Sequence, residues 1–416
     1  MTWSALTHLD CSRCPETYDA GQRQGLCGCG APLLARYDLT AAAAAVKPEQ
    51  VAARPPDLWR YHELLPAGSA AAVVSLGEGM TPLLPLPRLG AALGLPGLLL
   101  KDEGPLPTGS FKARGAAVGV TRAAELGAAG VAMPTNGNAG AAWAAYAARA
   151  GLPCLVVMPA GAPAITRSEC VAAGTETYLV DGLIGDAGAL VARALAGRPG
   201  YQDVSTLKEP YRLEGKKTIG LEIAEQLGWR VPDVILCPTG GGVGLIGIRK
   251  GLAELQEMGW IGPKLPRLVA VQAAGCAPVV HALDAGLEYP EPVRPDTIAK
   301  SIAIGNPADG YQVIQCVKAT GGAGAAVSDE AIIGAIRLLA ETEGIFTEPA
   351  GGTTLAATID LINRGVIPRD ESIVVCVTGN GYKTAEVVAG RLTPPVRLSR
   401  AFKEFEAWHA SREALA

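Results

Sequence analysis

Short apolar runs that end in glycine-rich turns and open into helical patterns recur along this chain, and that repeat restricts the fold more than any other feature. Residues 98–101, 130–134, 154–158, 177–180, 234–237, 268–272 and 373–377 read as strands. Helical patterns over 111–126, 140–150, 219–227 and 329–343 lie between them. Alternation on this scale predicts mainly parallel sheets covered by helices on both faces. In such sheets, binding sites lie at the carboxyl ends of strands. At 416 residues the chain can bury a large core, and two or three domains are expected.

The bulk chemistry removes several function classes. A net charge of -4 offers no basic footprint for nucleic acid, so a small anion would have to be captured by local charges. Residues 1–10 lack the basic and apolar regions of a secretory signal. No uncharged apolar run reaches membrane-spanning length. Ten cysteines, six of them scattered singly through apolar surroundings, suit reduced thiols rather than a disulfide framework. We expect a soluble cytoplasmic protein with no nucleic-acid or membrane partner.

The most informative segment is Lys101-Asp-Glu-Gly-Pro-Leu-Pro-Thr-Gly-Ser-Phe-Lys112. A strand runs into a Pro/Gly turn, and Lys112 falls in the first turn of the helix that follows. Positive potential from the exposed amides there favours a neutral, nucleophilic amine, the form that Schiff-base chemistry needs. A solvated surface lysine is the bland alternative, and three further clusters weigh against it. Thr135-Asn136-Gly137-Asn138-Ala-Gly140 lies between a strand and a helix, where its amides suit a carboxylate and Asn138 suits a ring hydroxyl. Gly240-Gly241-Gly242-Val243-Gly244 forms an anion nest fit for a phosphate. Thr378 presents a hydroxyl at the end of the last strand. Each cluster alone reads as a tight turn; four at strand ends point to one site.

The first 38 residues are a cysteine-rich island. Cys11 and Cys14, then twelve residues, then Cys27 and Cys29 give two thiol pairs that suit tetrahedral zinc. The alternative is a small ribbon with free thiols.

The chain resembles the threonine synthase family of fold-type II, tryptophan-synthase-β-like pyridoxal-phosphate enzymes from about Ser75 to Thr384, most specifically at Pro107-Thr-Gly-Ser-Phe-Lys112. Family-like text recurs at Arg212-Leu-Glu-Gly-Lys-Lys-Thr218, at 304–307 and at 344–352. The resemblance implies two three-layer α/β domains with the cofactor in the cleft between them, plus a zinc-ribbon-like module. The expected boundaries are 1–38 for that module, 39–115 and 205–390 for the large cofactor domain, 116–204 for the small domain, and 391–416 for a tail. It also implies that Lys112 carries pyridoxal 5'-phosphate as a Schiff base and moves substrate protons. Asn138 would face the cofactor's 3-hydroxyl, Gly240 to Gly244 its phosphate and Thr378 its ring nitrogen.

The implied enzyme is a lyase of threonine biosynthesis, a homodimer acting on a small-molecule amino-acid substrate and converting O-phosphohomoserine and water to threonine and phosphate. The alternative is a serine/threonine dehydratase-like β-eliminating lyase, or a replacement enzyme on another activated amino acid. Thr135, Asn136 and Gly137 are expected at the substrate, and Lys101, Arg114 and Arg212 near its phosphate. The chain departs from the family pattern at Ala113, usually Asp, and at Ser205-Thr-Leu-Lys-Glu-Pro-Tyr-Arg212. A carboxylate at Glu209 opposes a phosphate dianion unless it pairs with Lys208 or Arg212.

Competing classes fail on particular residues. Gly242-Val-Gly244-Leu-Ile-Gly247 fits a dinucleotide fingerprint, but the next strand ends in Gln272, with no acid for a ribose. The four histidines, His8, His62, His281 and His409, have no metal-ligand spacing.

Overall fold

Uncharged runs such as Val234–Pro238 and Ile373–Val377 are buried along their whole length, which only a sheet covered on both faces allows. The computed structural model describes residues 3–400 and 402–413. Strands β1 (Leu6–Cys11), β2 (Thr17–Tyr18) and β3 (Leu33–Tyr37) form an antiparallel sheet of order β2-β1-β3. After β4 (Leu83–Pro85) and β5 (Leu98–Asp102) come β6 (Gly130–Pro134), β7 (Cys154–Pro159), β8 (Glu176–Val180) and β9 (Tyr201–Asp203). These last four make a parallel sheet of order β8-β7-β6-β9. The chain then returns to the first α/β layer. There β10 (Val234–Pro238), β11 (Arg267–Ala273), β12 (Gly324–Val327) and β13 (Ile373–Val377) join β5 and β4 in the order β12-β11-β10-β13-β5-β4. Only the edge strand β4 runs antiparallel in that sheet.

Five helices position the site: α1 (Lys112–Glu125), α2 (Asn138–Arg149), α3 (Arg212–Gln226), α4 (Val243–Glu257) and α5 (Pro349–Asn363). Helices α1, α3 and α4 touch backbone to backbone. A Cβ on Gly215 would lie 2.0 Å from the Arg114 carbonyl oxygen, and one on Gly220 2.7 Å from that of Ile248. Helix α3 begins at Arg212, seven residues before the expected helix. Its opening Arg-Leu-Glu-Gly-Lys-Lys reads as a polar surface, yet those charges are buried in pairs. Glu214 holds Lys217 at 2.6 Å and Lys250 at 2.9 Å, with both Glu214 and Lys217 fully buried.

The compact unit ends at Thr384. The remaining residues form a second unit, with helices over Ala385–Ala389 and Phe402–Glu413 among those described. Among the described residues, no helix is long and apolar enough to cross a membrane.

Candidate active site

Lys112 is the first residue of α1, and the turn before it is fixed by the segment that follows the neighbouring parallel strand β13. The Phe111 amide donates to the Thr378 carbonyl at 2.9 Å, and the Asn380 amide to the Gly109 carbonyl at 2.9 Å. This brings Lys112 and Thr378 to one cavity of about 260 Å³, which Asn138, Arg212 and the loop Gly240 to Gly244 also line. The amine of Lys112 reaches the cavity from protein surroundings, and burial pushes it down from the ordinary lysine value to about 8. Glu348 works in the opposite sense, and Arg212 adds to the depression. Desolvation, more than the helix N-terminus invoked from sequence, thus favours the neutral amine.

The glycine loop opens the 15-residue helix α4. Gly242 has φ +82, and a Cβ there would lie 2.0 Å from Val313 Cγ2. On Gly240 a Cβ would press on the Ile302 Cα at 3.0 Å, and on Gly244 on the Phe111 ring at 3.0 Å. The loop is therefore a bare-backbone cradle at a helix N-terminus, suited to a phosphate.

Across the cavity, Thr135, Asn136, Gly137 and Asn138 lie between β6 and α2. The Thr135 hydroxyl oxygen accepts from the Gly137 and Gly140 amides at 3.0 Å each. Those two amides are thus committed to capping the helix, which leaves first-turn amides such as Ala139 for a carboxylate. Asn138 donates from Nδ2 to Glu348 Oε2 at 2.9 Å. Glu348, 1% exposed with its carboxyl raised by burial, lines the cavity, although its sequence carried no assigned role. Its signal was the Thr-Glu-Pro start of α5, where Pro349 is the first helical residue.

Arg212 faces the cavity at 6% exposure, with Nε on Glu209 Oε1 at 3.0 Å and the guanidinium 5.2 Å from the Trp143 ring. Glu209 also accepts from the Tyr211 amide at 2.8 Å and the Arg212 amide at 3.0 Å, so its charge is spent at the start of α3. Lys208 pairs with Asp203 at 3.0 Å instead. Lys101 and Arg114 correct the sequence reading, because both are fully buried away from the cavity. Lys101 gives its Nζ to Glu222 at 2.7 Å, the Thr81 carbonyl at 2.8 Å and Gln226 at 2.9 Å. Arg114 commits its guanidinium to Glu103, Glu222, Thr218 and Thr81. Neither has a donor left for a ligand.

In the N-terminal sheet and its loops, the sulfurs of Cys11, Cys14, Cys27 and Cys29 lie within 4.8 Å of one another. Cys11 and Cys29 are 3.5 Å apart, as are Cys14 and Cys27. Four thiolates at the zinc–sulfur distance sit about 3.8 Å apart in a tetrahedron, so the cluster fits that metal.

A family model for pyridoxal-phosphate dependent enzymes matches residues 74–379. The chain belongs to that family. The geometry of this pyridoxal-phosphate dependent enzyme fits its cofactor independently, through the glycine cradle and a cavity-lining lysine with a lowered pKa. The threonine synthase of Methanocaldococcus jannaschii is 38% identical over 390 residues, covering 93% of this chain and 96% of that protein. That of Methanosarcina acetivorans is 38% identical over 386 residues, 92% and 94% of the two chains. Among solved structures, the fungal L-serine ammonia-lyase from Rhizomucor miehei matches with a TM-score of 0.64 and 25% identity, over 72% of this chain and 93% of that one.

Proposed function

We propose that this enzyme is a threonine synthase, a lyase that takes O-phosphohomoserine and water to threonine and phosphate. The observation that carries this reading is the 38% identity to threonine synthases over nearly the whole of both chains. Gly240 to Gly244 would hold the cofactor's phosphate, Asn138 its 3-hydroxyl and Thr378 its ring nitrogen. When bound through Lys112, pyridoxal phosphate supplies an electron sink for charge developing on the substrate's carbons. A neutral hydroxyl at Thr378 does not hold the ring nitrogen protonated, which suits elimination over transamination.

The chain's own groups supply the rest. Lys112 Nζ carries protons to and from the substrate's α- and β-carbons. Thr135, Asn136 and Gly137 form the wall for its carboxylate, and Arg212 meets its phosphate beside Ser205 and Thr206, which line the same cavity. The Cγ–O bond breaks with its electron pair on the departing phosphate. Cγ takes up a proton and becomes the methyl carbon, and Cβ, having given up one proton, bonds the oxygen of water, whose second proton leaves with the phosphate. Zinc on the four thiolates would be structural, a closed site with no open position. The enzyme works as a cytoplasmic homodimer. Support comes from its six cysteines outside the four-thiol cluster, none of them in a disulfide, and from edge strand β8, which leaves Tyr178 and Leu179 about half exposed.

The test is incubation with O-phosphohomoserine, threonine, serine and phosphoserine in turn, following phosphate, threonine and 2-oxo acids. Equal amounts of threonine and phosphate from O-phosphohomoserine are expected. Release of 2-oxo acid from serine or threonine, with O-phosphohomoserine untouched, would replace this reading by an ammonia-lyase.

A further inference from the structure

Lys216 lines the cavity one helical turn after Arg212, on the same side of α3. It is 3% exposed, and its Nζ lies 3.6 Å from the centroid of the Phe111 ring, which Lys112 Nζ also approaches, at 3.9 Å. Its stem runs through space that glycines leave open. A Cβ on Gly115 of α1 would lie 3.3 Å from Lys216 Cε, and one on Gly247 of α4 2.9 Å from Lys216 Cβ. Three helices therefore leave a channel that delivers this amine to the cavity wall.

The amine is left short of partners there. Among the described residues it has one hydrogen bond, to the Phe111 carbonyl, and no carboxylate within ion-pair distance. An ammonium has three donors, and a buried one is costly unless paired. Burial, and next the charge of Lys112, push its pKa well down, Arg114 and Arg212 adding to this and Glu103 opposing it. The neighbouring cations are already engaged, Arg212 by Glu209 and Arg114 by Glu103 and Glu222. The only carboxylate among the residues lining the cavity is Glu348, which already binds Asn138.

We infer that Lys216 is a phosphate-binding residue of this cavity, its Nζ holding a phosphate monoester beside the Gly240 to Gly244 loop or beside Arg212. The two sources of that group, the cofactor and the substrate, are named by the proposed function, on which the inference rests to that extent. On binding, the amine takes up one proton and donates as an ammonium to the dianion's oxygens; no covalent bond changes.

The test compares full-length wild type with Lys216→Met. Affinity for pyridoxal phosphate and for unphosphorylated pyridoxal, read by visible absorbance, tests the cofactor. Titration of the cofactor-loaded enzyme with inorganic phosphate, by calorimetry in buffers of different ionisation heat, tests the substrate side. Loss of one charge-assisted contact should weaken one phosphate-bearing ligand about tenfold or more, with pyridoxal affinity unchanged. On the substrate side, the proton taken up by wild type should also vanish in the variant. Should Lys216→Met not fold, Lys216→Gln keeps a donor to the Phe111 carbonyl and carries the same comparison. If both phosphate affinities stay within about twofold of wild type, the lysine only props the Phe111 turn and the inference falls. Because inorganic phosphate needs no turnover, a chain that ignores O-phosphohomoserine but loses phosphate affinity in the variant would sink the proposed function and keep this inference.

Discussion

Desolvation lowers the pKa of Lys112 at the cavity wall, and that gives it a measurable pH signature. In cofactor-free protein its combination with pyridoxal phosphate should accelerate as pH rises through about 8, where burial places the amine. An exposed lysine would require about pH 10.4. Rapid-mixing absorbance gives the midpoint, and borohydride should fix the pyridoxyl group on the peptide that contains Lys112. Label on Lys216 or Lys383 instead would overturn the assignment. At this scale the sequence was only partly legible. Strand-turn-helix context located Lys112, Asn138 and Thr378 because each sits beside glycine at an element boundary, and the cavity gathers all three. Arg114 was misplaced by proximity in sequence. Two residues along a helix turn a side chain by about 200°, which carries it from the cavity into the Glu103 and Glu222 pairs. Glu209, suspect as a lone acid, is answered by a partner three residues on, at the first residue of α3.

Helix α3 shows why elements can be harder to read than residues. Its first two turns bury Arg212, Glu214, Lys216 and Lys217, so no apolar periodicity marks its start, and the shared face of Arg212 and Lys216 stayed hidden. Strand β12, Gly-Ala-Ala-Val, was missed for the opposite reason: its residues are too small to register as an apolar run. The glycines that let α3 meet α1 are legible only in three dimensions. Gly215→Ala would place a methyl 2.0 Å from the Arg114 carbonyl oxygen. That oxygen belongs to backbone and cannot swing aside, so the variant should lose about 1–3 kcal/mol of stability, as overpacked cores do. Urea unfolding measures the loss; an unchanged midpoint would mean that the helices separate freely.

For the whole molecule, the N-terminal sheet is joined to the catalytic body rather than tethered to it. The Ala20 carbonyl, from the loop between the two cysteine pairs, accepts from Arg122 at 2.6 Å and from the Tyr211 hydroxyl at 3.1 Å. Tyr37 of β3 lies under Lys217, 4.0 Å from the ring centroid. Metal analysis should give about one zinc per chain, and chelation should expose residues 3–38 to protease while the visible absorbance of the loaded enzyme persists. Metal-free protein of unchanged protease resistance would leave the thiols to act alone.

The glycine contacts between α1, α3 and α4 carry a mechanical consequence. Helices separated by side chains can slide by re-sorting rotamers, but helices whose backbones touch have nothing to re-sort. Lys112, Arg212, Lys216 and the Gly240 to Gly244 loop all ride on these three helices or on the turn that opens one of them. Thr135 to Asn138 belong to the other sheet. The cavity is therefore a vice with one fixed jaw: the wall that carries Lys112, Arg212 and Lys216 is set when the chain folds, so any clearance a ligand needs to enter should come from the wall on which Thr135 to Asn138 stand.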